Sequence, residues 1–220
     1  MTVLAVFGCS WTSGPGSFKH HNTFGQQLAE KLGATEFVNL GLEGSSNSRS
    51  VLQLIDYVKR TDLEIKDSIA IFLITTPARE CVIPRPDIRH PGRIVDLKSD
   101  NVDDITQSWL THFSSLENVN FNLHKNILSM QAICRQYHIK DYYMAAWSDI
   151  DFNLPGVDTN KIYPQSCVQL FGYKDMWDYL DNDPNQYIRP DCGHPNDLGN
   201  QIISQTLYNW ISSDNVQTPI

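Results

Sequence analysis

Two hydrophobic rhythms alternate along the chain. Residues 2–7 form a short apolar run that stops at Gly8, the pattern of a buried strand delivering a loop. Residues 23–32 place Phe24, Leu28 and Leu32 four apart and end at Gly33, which predicts a helix. A second strand is expected at 37–40, and a second helix over 48–60, where Val51, Leu52, Ile55 and Val58 recur at helical spacing. Residues 68–74 are too continuously apolar to alternate, as in a strand buried on both faces. A helical region is predicted from about 105 to 137, broken near Glu117-Asn118, then a fourth strand at 142–147. A last helix over 197–211 carries Leu198, Ile202, Leu207 and Ile211 on one stripe.

Strands that alternate with helices of this length predict an α/β fold. Parallel neighbours need right-handed crossovers, so the expected architecture is a three-layer α/β/α sandwich around a parallel sheet. Ligands of such sheets bind at the C-terminal ends of the strands, where the loops after the first three strands converge. A length of 220 residues suits one domain spanning 1–220. The stretch 77–104, rich in Pro, Arg and Asp, is too long for a plain connector and is expected to be a lid or substrate-binding insertion.

Composition narrows the function classes. The 41% hydrophobic content is that of a folded chain, and a net charge of −8 argues against a broad nucleic-acid or anionic-membrane footprint. Five scattered cysteines form no CxxC pair, so reduced thiols are expected, with no metal site and no cofactor. The apolar start is too short for a signal peptide or a spanning segment, which predicts a cytoplasmic protein by default, or a phage-associated one.

Three places carry candidate chemistry. Ser10 lies in Gly8-Cys9-Ser10-Trp11-Thr12-Ser13-Gly14, on a Gly-flanked turn after the first strand, where backbone N–H groups of a helix start can hold an oxyanion. Its plainer reading is a helix N-cap. Asp191-Cys192-Gly193-His194 precedes the last helix and puts a carboxylate three residues before an imidazole, so Asp191 can orient His194 and His194 can take the Ser10 proton. The plainer reading of that pair is an ordinary Asx turn. Trp11, Phe18, Trp147, Tyr173 and Trp177 are either a stacking wall or core, and His20 and His21 either line the site or are exposed loop groups.

Gly8-Cys9-Ser10 resembles the first block of the SGNH (GDSL-like) hydrolases, and Asp191-Cys-Gly-His194-Pro-Asn resembles their last. Between them, Asn39-Leu-Gly41-Leu-Glu-Gly44-Ser45-Ser46 is similar to the second block, Asn-x-Gly-x-x-Gly-x-Ser/Thr. The resemblance implies a flavodoxin-like sheet, a Ser10, Asp191 and His194 triad, and oxyanion donors that include the backbone N–H groups of Ser10 and Gly44. Glycine at 44 also suits a close approach of backbone to an oxyanion.

Two departures stand out. Cys9 replaces the usual Asp before the nucleophile, although alternation along a strand favours Ser10 over Cys9 as the attacking group. The third block, commonly Gly-x-Asn-Asp, reads Thr75-Thr76-Pro77-Ala78-Arg79-Glu80 and lacks the asparagine. Asn47 is the first candidate for the missing donor, with an N-cap as its plainer reading; Thr76 and Arg79 are the competitors. Arg79 either binds a carboxylate or sugar-acid group or pairs with Glu80.

The expected activity is ester hydrolysis through an acyl-enzyme, with a small-molecule or carbohydrate O-acetyl ester as substrate. The alternatives are a non-catalytic ligand-binding module on the same scaffold and an acyltransferase with the same triad.

Overall fold

The computed structural model describes residues 2–14, 23–60, 65, 68–77, 79–82, 95–97, 115–147, 150–175, 178–179, 181, 186–187, 189 and 193–217. In chain order they form β1 (Val3–Gly8), α1 (Ser10–Ser13), α2 (Phe24–Leu32), β2 (Glu36–Gly41), α3 (Asn47–Tyr57) and β3 (Ile69–Ile74). Two short strands follow, β4 (Glu80–Val82) and β5 (Val95–Leu97), then α4 (Leu116–Gln136) and β6 (Lys140–Ala145). A 3-10 turn (Thr159–Lys161), α5 (Cys167–Leu170) and α6 (Asp197–Gln217) complete the set.

β1, β2, β3 and β6 make a parallel sheet in the order β2-β1-β3-β6, a flavodoxin-like arrangement. Alternate residues of its central strands feed two cores. Leu4, Val6, Ile71 and Leu73 face Leu28 of α2 and Ile203, Leu207 and Ile211 of α6. Val3, Ala5, Phe7, Ala70, Phe72 and Ile74 face Leu54 of α3 and Leu123, Ile127 and Met130 of α4. Both faces of β1 and β3 are therefore covered, which explains their unbroken apolar sequence and makes the fold an α/β/α sandwich. Phe7, Phe72 and Tyr143 stack across three neighbouring strands, with centroids 4.7 and 5.0 Å apart.

Local chemistry sets the helix ends. Thr23, Ser46 and Ser115 cap α2, α3 and α4 by accepting from the backbone N–H three residues on, and Gly33 closes α2 at φ 64°. The break expected near Glu117-Asn118 does not interrupt α4, because the Ser115 cap starts the helix there and Val119, Leu123 and Ile127 carry its buried stripe onward. Residues 98–114 lie outside the described set. β6 begins two residues before the predicted start: Asp141 reads as polar in sequence, yet it is buried and bonded to Lys161 and Tyr143. Within 77–104, β4 and β5 pair antiparallel, while 83–94 and 98–104 are outside the described residues. No described helix is long and apolar enough to cross a membrane.

Candidate active site

β1 ends at Gly8 with φ 150°, a conformation that side-chain-bearing residues rarely adopt. A Cβ there would lie 2.4 Å from Thr12 Oγ1 and 2.8 Å from the Leu73 carbonyl oxygen, so only glycine fits. Cys9 occupies the N-cap position of α1 without a side-chain cap bond, and its carbonyl accepts from Thr12 N and Ser13 N at 2.9 and 3.1 Å. Ser10 is thus the first helical residue and not the cap. Cys9, Trp11 and Thr12 are buried while Ser10 is half-buried, so the turn leaves the serine partly accessible and the cysteine in the core.

The end of β2 holds this turn in place. Asn39 Nδ2 donates to the Thr12 carbonyl at 3.0 Å, and Asn39 Oδ1 accepts from Gly41 N at 2.9 Å. Leu42 N donates to the Gly8 carbonyl at 2.9 Å. A Cβ on Gly41 would come within 2.4 Å of Ser13 N and 2.7 Å of the Thr12 carbonyl carbon, so the two loops touch backbone to backbone. Gly44, at φ 69°, sits in a turn closed by Ser45 N donating to the Leu42 carbonyl at 3.0 Å. The Asn39-Leu-Gly41 motif does not by itself reveal this clamp, whose partner lies 27 residues away.

Asn47 is buried at the start of α3, one residue after the Ser46 cap. Its Nδ2 donates to the Thr75 carbonyl at 3.1 Å and its Oδ1 accepts from Thr75 N at 3.0 Å. The β2–α3 loop is thereby fastened to the C-terminal end of β3.

Beyond β3 the chain turns back, with Arg79 N donating to the carbonyl of half-buried Thr76 at 3.2 Å. Arg79 Nη1 donates to Thr75 Oγ1 at 3.3 Å, and the guanidinium lies 5.3 Å from the centre of the Trp147 ring. Trp147 packs edge-on against Trp11 at 6.1 Å, and Trp11 lies tilted against Tyr179 at 5.6 Å. With exposures of 3% and 8%, Trp11 and Trp147 belong to the core and not to an open stacking wall. Tyr173 packs edge-on against Tyr179, whereas Phe18, His20, His21 and Trp177 lie outside the described residues.

His194 is half-buried in the loop before α6. Its carbonyl accepts from Arg189 N at 2.8 Å, and Gly193, at φ 66°, donates its N–H to the Arg189 carbonyl at 3.0 Å. Asn196 caps α6 by accepting from Gly199 N at 3.0 Å. The buried Asn200 amide donates to the Pro195 and Asn196 carbonyls and accepts from Phe24 N at 3.0 Å, so the histidine loop is fixed to both α6 and α2. Asp191 and Cys192 lie outside the described residues. A cavity of about 360 Å³ is lined by Gly14 of the serine turn and by Arg189, Pro195 and Asn196 of the histidine loop. It adjoins both candidate loops, although Ser10 and His194 themselves are not among its lining residues.

The described thiols Cys9, Cys134 and Cys167 are free and buried. Burial raises the Cys167 thiol well above its ordinary range, which keeps it neutral. Among the described residues, no three His, Cys, Asp or Glu side chains converge as metal ligands.

No protein-family model matches the chain, and no curated protein matches it in sequence. Solved structures share its fold over nearly the whole length. A psychrotrophic esterase from Pseudoalteromonas sp., solved with monoethylphosphonate as inhibitor, aligns at TM-score 0.54 and 12% identity over 98% of this chain and 99% of its own. A putative lipolytic protein of the G-D-S-L family from Desulfitobacterium hafniense aligns at TM-score 0.53 and 11% identity, over 96% and 99%. A catalytic mutant of an acetylxylan esterase from Geobacillus stearothermophilus aligns at 0.51 and 13%, over 95% and 93%. At such identities the likeness is one of fold: this chain has the architecture seen in G-D-S-L-type esterases.

Proposed function

We propose that the chain is a serine ester hydrolase in which Ser10 is the nucleophile, His194 the general base and acid, and Asp191 the group that orients the imidazole. The observation that carries this reading is the serine turn: a half-buried Ser10 opening α1, held by Gly8, Asn39 and Gly41 while Cys9 is buried. Ser10 Oγ attacks the ester carbonyl as His194 takes its proton, and the oxyanion is held by the N–H groups of Ser10 and Gly44. His194 returns the proton to the departing alkoxide, which leaves as an alcohol. Water, deprotonated by His194, then attacks the acyl-Ser10 carbonyl; the ester bond to Ser10 breaks as His194 returns the proton to Ser10 Oγ, and the acid is released.

The third oxyanion donor in this reading is Asn47. One Nδ2 hydrogen is committed to the Thr75 carbonyl, which leaves the second hydrogen of the same amide for substrate. Thr76, half-buried at the same strand end, is the proposed neighbour of the substrate in this reading. A carbohydrate O-acetyl ester is the proposed substrate, a choice supported by the polar loop set and by the fold shared with an acetylxylan esterase.

Turnover of p-nitrophenyl acetate tests the proposal. Ser10→Ala and His194→Ala should each lower kcat by about a thousandfold or more, and equal loss in the double variant would mark a single catalytic unit. Thr75-Thr76-Pro77 in place of an asparagine-bearing third block favours a second reading, a non-catalytic ligand-binding module. Absence of turnover by the wild type would select it. Suppression of hydrolysis by a sugar acceptor, with transfer of the acetyl group, would select an acyltransferase.

A further inference from the structure

Among the described residues, the Arg79 guanidinium has only neutral partners. Arg79 is half-buried, its Nη1 donates to Thr75 Oγ1 at 3.3 Å, and its Cζ lies over the Trp147 ring, 5.3 Å from the centroid. It has no carboxylate partner among the described residues. The chain carries 25 acidic residues against 17 basic ones, so carboxylates are in excess, yet no described one pairs with Arg79. A hydroxyl and an aromatic face fix the guanidinium without neutralising it. Only one of its five N–H donors is used by the Thr75 bond.

Its placement ties this group to the site. Pro77 presets the turn that closes from Arg79 N to the Thr76 carbonyl, folding the side chain back over the end of β3. Thr75 is bonded at its backbone to Asn47 and at its hydroxyl to Arg79. Trp147 beneath the guanidinium touches Trp11, the residue after the proposed nucleophile. Arg79 is therefore linked, through Thr75 and Trp147, to both the β2–α3 loop and the serine turn, at the strand ends where ligands of such sheets bind.

We infer that Arg79 is the substrate-anchoring cation of this site and that the ester it selects carries a carboxylate on its alcohol part, as in an O-acetylated sugar acid. This rests on the ester-hydrolase reading above. A planar guanidinium with unused donors matches a carboxylate in a two-pronged bond. One positive charge balances one carboxylate, whereas a dianionic phosphate ester would enter a chain of net charge −8 with half its charge unmet.

The test compares hydrolysis of 4-acetoxybenzoate with that of 4-acetoxybenzamide, an acetyl ester of similar shape without the charge. The ratio of their kcat/KM values is read in the wild type, Arg79→Gln and Arg79→Lys, so differences in intrinsic ester reactivity cancel. Loss of a charge-assisted pair should lower the ratio by about tenfold or more in Arg79→Gln, with a smaller fall in Arg79→Lys, which keeps the charge but not the fork. An unchanged ratio in Arg79→Gln overturns the inference; if that variant does not fold, an unchanged ratio in Arg79→Lys does so. If the wild type cleaves neither ester, the hydrolase reading fails, and calorimetric titration with D-glucuronate judges Arg79 alone. Binding weakened about tenfold by either substitution then supports the anchor, and absent or unaltered binding overturns it.

Discussion

Asn47 and Thr75 exchange two hydrogen bonds, Nδ2 to carbonyl at 3.1 Å and backbone N–H to Oδ1 at 3.0 Å, so that a side-chain amide completes the end of β3. Both residues are buried. Asn47→Ala would leave the Thr75 N–H and carbonyl without partners, at a cost of about 2–4 kcal/mol from two unmet buried groups. Urea unfolding measures this, and a loss below about 0.5 kcal/mol would contradict the clamp. Asn47→Asp keeps the acceptor but sets a carboxylate against the Thr75 carbonyl, so it should not restore the loss.

Gly41→Ala probes the contact that seats the serine turn. The added methyl would meet the Ser13 amide nitrogen and the Thr12 carbonyl carbon, both backbone atoms that cannot rotate away. We expect a destabilisation of about 1–3 kcal/mol and a fall in kcat larger than the fall in folded fraction, since α1 must shift. Thermal unfolding together with ester turnover checks both parts.

Asp141 lies at the opposite end of β6 from Trp147. Its side chain is fully buried, it accepts from Tyr143 Oη at 2.8 Å, and it is paired with Lys161. Lys161→Met should cost on the order of 2–4 kcal/mol by leaving a buried carboxylate unpaired, reduced from the fully buried case because Lys161 is partly exposed. Asp141→Asn combined with Lys161→Met should recover part of that loss. Because this pair is remote from the proposed chemistry, kcat of the folded Lys161→Met enzyme should match the wild type.

Alkaline pH should unfold the protein earlier than neutral pH. Burial raises the Cys134 and Cys167 thiols above their ordinary value of 9.0, and the nearby Asp141 charge adds to the effect on Cys134. Burial likewise raises the Tyr57 and Tyr143 phenols above 10.0. The unfolded chain therefore releases these protons first. Their contribution to stability is full below the unfolded values and is lost as pH climbs from about 9 toward the raised folded values. Thermal midpoints should fall from about pH 8 to about pH 10.5, and less steeply in Cys167→Ala, whereas a flat profile would contradict the assignment.

How much of this was readable from the chain depended on the range of the interaction. β1 and β3 were legible because burial on both faces leaves no polar position to interrupt the pattern. The start of β6 was hidden by Asp141, whose charge is compatible with burial only through a lysine 20 residues away. β4 and β5, at three residues each, are too short to show a period. The positions of Ser10 after a strand end and of His194 before a helix start were legible from the sequence. The clamps were not: Asn39 reaches Thr12 across 27 residues, and Asn47 reaches Thr75 across 28. Arg79 could be read as a cation near the third strand end, but its neutral partners, Thr75 and Trp147, are a property of the folded sheet edge.

The central claim, that Ser10 is an activated nucleophile, is tested most directly by covalent labelling. Native protein is treated with a fluorophosphonate, and the modified residue is located by peptide mass spectrometry. The account predicts one adduct per chain on Ser10, absent from Ser10→Ala and strongly slowed in His194→Ala. No adduct, or an adduct on Cys9 or Ser13 while Ser10 stays unmodified, would contradict it.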